Sequence, residues 1–105
     1  NWLTFTANQD SNLSYFINIE DKWLTCMLGP LLMIDEIPEN NKINFYEELL
    51  EKSGHVKMME YAIFNKAIFC NLELDLTSCS KKEFENALSS LEAGKDYFYE
   101  KIAKF

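Results

Sequence analysis

Leu13-Ser14-Tyr15-Phe16-Ile17-Asn18-Ile19-Glu20 decides the fold. Leu13, Tyr15, Ile17 and Ile19 alternate with Ser14, Phe16, Asn18 and Glu20, the period of two expected of a half-buried strand. Asp21-Lys22 is a short polar break, and Trp23 to Met27 then opens another strand. Upstream, Trp2 to Ala7 places Leu3, Phe5 and Ala7 on one side, and Asn8 to Asn12 is turn chemistry. Three strands joined by short turns make an antiparallel meander, because parallel neighbours need long crossovers.

Downstream, Gly29-Pro30 interrupts the third strand, since proline cannot donate to a ladder. Leu31 to Ile34 resumes it, and Asp35 to Asn41 is an acidic loop containing Pro38. A helix comes next, capped by Asn40 or Asn41, with Phe45, Leu49 and Leu50 at helical spacing and Glu47, Glu48 and Glu51 in water. Gly54 is its natural stop. Residues 56–60 fit helix or strand. A hairpin is the preferred reading of residues 61–76, with Tyr61 and Ile63 on one arm and Ile68, Cys70, Leu72, Leu74 and Leu76 on the other, about an Asn65-Lys66 turn. Ser80 and Glu83 form a capping box. Phe84, Ala87, Leu88, Leu91, Phe98, Ile102 and Phe105 then make one apolar stripe, predicting a helix from Lys81 to Phe105 about 37 Å long. Gly94 within it costs about 1 kcal/mol relative to alanine. The expected fold class is α+β: an antiparallel sheet of about five strands (three-strand meander, helix, hairpin) with a long C-terminal amphipathic helix. The 105 residues suit one domain.

Hydrophobic residues are 48% and charged residues 26% of the chain, which excludes disorder as the dominant state. Ten lysines, no arginine and 17 acids give a net charge of −7. A nucleic-acid footprint needs clustered cations, and an anionic membrane surface would be repelled in the same way. A basic or amphipathic protein partner is the better expectation. No apolar run reaches the ~18 residues of a membrane span. Cys26, Cys70 and Cys79 are an odd set without a C-x-x-C pair, as in a cytoplasmic protein with reduced thiols.

The parts of an active site are scarce. His55 is the sole histidine and comes after Gly54 at a helix end, a structural position, with no partner motif beside it. One histidine and three scattered cysteines do not supply a zinc site, and there is no calcium loop or Gly-rich phosphate loop. The chain reads as non-enzymatic, with no cofactor and no metal. The positive signal is aromatic: Tyr15, Phe16, Trp23, Tyr46, Tyr61, Phe64, Phe69, Tyr97, Phe98, Tyr99 and Phe105 exceed what one small core can hide. Phe16 falls on the face opposite Tyr15 and Ile17, as at a partner surface.

Leu13–Glu20, Leu24–Pro38 (ending Met-Ile-Asp-Glu-Ile-Pro), Phe45–Glu51 with its Leu49-Leu50 pair, Ile68–Leu76 and Phe84–Phe98 stand in an order that resembles the class I chaperones of bacterial type III secretion. The related YbjN-like domains share the same layout. The resemblance covers most of the chain. In that family an additional helix opens the fold, so residues 1–105 would be a single secretion-chaperone-like domain without it. The resemblance implies a bacterial, cytoplasmic chaperone, homodimeric, that holds an extended segment of a secreted client; a YbjN-like accessory or regulatory domain without a secretion client is the alternative. An exposed sheet edge and apolar grooves would accept the segment. The expected client-binding residues are Phe5, Phe16, Ile19, Leu24 and Met27. The apolar run Leu24 to Ile34 seeks cover on both faces, so the expected dimer interface is Leu31, Met33, Phe45, Tyr46 and Leu49.

Overall fold

The computed structural model describes residues 2–6 and 12–104. Its elements are β1 (Trp2–Thr6), β2 (Ser14–Glu20), β3 (Trp23–Met33), α1 (Lys42–Lys52), β4 (Glu60–Phe64), β5 (Ala67–Asp75) and α2 (Lys81–Tyr97). The strands form one five-stranded sheet in the order β1-β2-β3-β5-β4, antiparallel throughout. The expected α+β class, meander, middle helix and hairpin are therefore present. Ala7, most of the turn expected at Asn8 to Asn12, and Phe105 at the end of the expected stripe lie outside the described residues.

The register sorts side chains between two faces. Ile17 lies opposite Cys26, and Cys26 opposite Leu72; Tyr15 lies opposite Leu28, and Leu28 opposite Cys70. This face carries the main core. Ala87, Leu91, Phe98 and Ile102 are buried against Cys26, Leu28, Ile68 and Cys70. The helix α2 packs on β3 and β5. At Gly94 it packs tightly, since an added Cβ there would lie 2.7 Å from Met59 Sδ and 3.1 Å from Cys70 Sγ. The Tyr61 hydroxyl donates to the Gly94 carbonyl at 2.7 Å. The strand β3 runs through Gly29-Pro30 with a shift of register against β5 between Leu28 and Leu32.

Three local expectations are corrected. The C-terminal helix is α-helical only to Tyr97 and then widens into a π-helical turn, Phe98–Ile102. Phe98 and Ile102 both lie inside the core. Asn41 does not cap α1 through its side chain, because a 3-10 turn at Glu39–Asn41 leads directly into the helix. Gly54 does not stop α1 in a left-handed conformation; the chain tightens into a 3-10 turn at Ser53–His55, and Met58, at φ 72°, makes the reversal before β4. Ser80 does cap α2, accepting from the Glu83 N–H at 3.1 Å.

Candidate protein-binding face

The other face of the sheet carries Trp2, Thr4, Phe16, Met27, Phe69, Ala67 and Phe64 by strict alternation from the core positions. Met27, Ala67 and Phe69 are buried there, with Phe16 packed against them, as a small second cluster separate from the main core. The Phe16 and Phe69 rings meet edge to face at 5.9 Å, and Phe64 and Phe69 likewise at 6.3 Å. Gly29 lies beneath this cluster, where a Cβ would fall 2.6 Å from Phe69 Cδ2. A cavity of about 280 Å³ opens above it, lined by Trp2, Thr4, Phe16, Met27, Phe64 and Phe69. Its lining is almost wholly apolar, and Trp2 and Phe64 remain exposed at its rim. Such a cavity excludes water from an incoming apolar side chain and offers ring edges for it to pack on.

The expected site residues divide between the faces. Phe16 and Met27 meet in this cavity. Phe5 and Ile19 are exposed on the opposite, helix-bearing face. Leu24 is buried in the main core, because it shares parity with Cys26 and Leu28. Of the expected dimer contacts, Leu31, Phe45 and Leu49 are core residues of the single chain. Phe45 packs edge to face on Phe98 at 6.1 Å, so the inward side of α1 is already used. Met33 is exposed, and Tyr46 is half-buried beside Phe45. On the outward side of α1, Ile43 and Leu50 are 73% and 79% exposed. Trp2, Thr4, Phe64 and Phe69 are additions to the expected contacts. Strand parity marks Phe69, which sits between Ile68 and Cys70 and must point away from both.

Tyr15, Glu92 and Lys95 serve structure. The Tyr15 hydroxyl donates to Glu92 at 2.5 Å, and Lys95 pairs with Glu92 at 2.7 Å. Burial, then the bond to Glu92, pushes the Tyr15 phenol above the usual tyrosine range. Burial would raise Glu92, but the bonds from Lys95 and Tyr15 outweigh it and hold the carboxyl below the usual glutamate range. Burial pushes the Cys26 and Cys70 thiols up to about 11 and about 12, which keeps them protonated and unreactive at neutral pH. His55 stacks on Tyr97 with ring centroids 5.7 Å apart. Among the described residues, no three histidine, cysteine or acidic side chains gather as a metal site. Among those residues, too, no helix is long and apolar enough to cross a membrane.

The fold is similar to that of chains in two solved protein complexes. It matches a chain of the ExsC–ExsE complex with a TM-score of 0.68 and 11% identity, covering 97% of this chain and 74% of that one. It also matches a chain of the heterodimeric ExoU–SpcU complex from the type III secretion system of Pseudomonas aeruginosa, with a TM-score of 0.68 and 9% identity, covering 90% of this chain and 77% of that one. No protein-family model and no curated protein matches the sequence. The chain thus has the α+β architecture expected from the order of its elements, a five-stranded antiparallel sheet with a C-terminal helix.

Proposed function

We propose that this chain is a non-enzymatic protein-binding domain that works as a secretion-type chaperone, holding an extended segment of a client protein on the open face of its sheet. The observation that carries this is the apolar cavity between Trp2, Phe16, Met27, Phe64 and Phe69, which leaves large aromatic area on one side of a fold similar to chains of two solved two-protein complexes, one of them from a type III secretion system. An extended segment suits the site, since its alternate side chains can enter the cavity while its backbone stays hydrated or adds to a sheet edge. The acidity of the chain, its cytoplasmic setting and a homodimer formed through α1 belong to the same reading.

Panning a phage-displayed random dodecapeptide library on the purified protein tests it. The expected result is enrichment of peptides with an aromatic or aliphatic anchor, bound at least about tenfold more weakly by Phe64→Ser. Phe64 is exposed beside the β4–β5 hairpin, so this variant should keep its fold. Failure to enrich any peptide, or equal binding by the variant, would count against the proposal.

A further inference from the structure

The apolar cavity has an acidic neighbour on the same face. Across the strands, Met27 lies opposite Asn71, and Asn71 opposite Glu60; one step along, Thr25 lies opposite Glu73. Strands are about 4.8 Å apart, so Glu60 and Glu73 stand roughly 8–10 Å from Met27. Glu60, Asn71 and Glu73 line a second depression of about 340 Å³ together with Met58 and the core residues Met59 and Leu72. Glu60 accepts a long bond from Asn71 Nδ2, at 3.5 Å. The lysines that pair with acids, Lys42, Lys52 and Lys95, all engage other residues, so among the described residues neither Glu60 nor Glu73 has a cationic partner. Lys57, three residues before Glu60, forms no ion pair among the described residues, and Lys66 lies at the hairpin end next to Phe64.

Two depressions of different chemistry therefore lie side by side. One takes an apolar side chain. The other suits a lysine or arginine, with the aliphatic stem against Met58 and the cation between two carboxylates. We infer that the client segment carries a basic residue two or four positions from its aromatic or aliphatic anchor, seated between Glu60 and Glu73. The spacing comes from geometry: an extended chain advances about 3.3 Å per residue and presents every second side chain to one face. The net charge of −7 sets a general preference for cations; these two carboxylates fix where on the face it acts. Seating a second copy on the same face would instead bring two acidic corners together.

This inference rests on the proposed chaperone reading, and one panning experiment separates the two. Selected peptides should show lysine or arginine enriched over aspartate or glutamate at the second or fourth position from the anchor. For those peptides, Glu60→Gln/Glu73→Gln should weaken binding about fivefold while leaving the apolar anchor preference intact. Raising the salt should weaken binding to the wild type more than to the double variant. Anchored peptides with no basic bias, or a bias unchanged in the double variant, would overturn this inference and leave the chaperone reading standing. If no peptide is enriched, both fall. If the wild type self-associates and Phe64→Ser abolishes that association, a second copy occupies the face and the inference is overturned.

Discussion

Gly29 and Phe69 define the floor of the open face: the ring lies where a side chain on residue 29 would begin, with Cδ2 2.6 Å from the Cβ position. Phe69 is buried and held by Phe16 and Phe64, so it has little room to turn away. Gly29→Ala should destabilise the protein by about 1–3 kcal/mol through overpacking. It should also weaken anchored peptides, because the displaced ring narrows the cavity. Urea midpoints and peptide Kd values measured on the same variant check both. A stable variant with unchanged affinity would mean the ring moves freely and the cavity is not shaped by this contact.

Tyr15 and Glu92 tie β2 to α2 across 77 positions of sequence. Tyr15→Phe removes a charge-assisted, half-buried bond and should cost about 1–2 kcal/mol at neutral pH. The loss should shrink at both ends of the pH range. Glu92 sits below its usual range when folded, so its contribution is complete above roughly pH 4.3 and is lost as the pH falls through the folded value. Tyr15 sits above its usual range, so its contribution is complete below roughly pH 10 and is lost as the pH rises beyond that. Urea unfolding of both proteins across pH should therefore give a difference that peaks between these limits. A difference that stays flat would exclude the ionised pair as its source.

The thiols offer a direct reading of the core. Cys26 and Cys70 are fully buried with raised pKa values, and Cys79 is half-buried just before the cap of α2. A thiol reagent at pH 7.5 should modify Cys79 first, and Cys26 and Cys70 only at the rate of unfolding. Prompt modification of Cys70 would place α2 off the sheet.

Element order is legible in the sequence because strand alternation and the Ser80 cap are local signals. The face assignments are legible only in part. Parity in β2 places Phe16 on the outer face, and the same rule applied to β5 exposes Phe69. Leu24 and Phe45 mislead because an apolar residue in an apolar run looks the same whether its cover is α2 or another protein. Gly94 reads in sequence as a weak point in a helix; in the structure it is the position where Met59 and Cys70 press against α2. Nothing local encodes that contact, which joins residues on three separate segments. The π-helical turn at Phe98–Ile102 is hidden too, since the apolar spacing there fits an ordinary α-helix.

The outward side of α1 carries the last prediction. Ile43 and Leu50 are seven residues apart, about 10 Å along one helix face, and both lie in water. Pairing two α1 helices antiparallel about a twofold axis near Tyr46 would set Ile43 of one copy against Leu50 of the other. The same arrangement brings Lys42, already paired with Glu39 at 2.9 Å, towards Glu51 of the other copy. The face is thus self-complementary in both apolar and charged groups, as an isologous contact requires. We expect a dimer in sedimentation velocity that Leu50→Lys converts to a folded monomer, since an exposed substitution changes stability by no more than about 0.5 kcal/mol. Leu49→Ala is the control on the inward side: it removes a core side chain and should cost about 2–4 kcal/mol without changing the pairing surface. A monomeric wild type, or a Leu50→Lys variant that remains dimeric, would remove α1 as the pairing element.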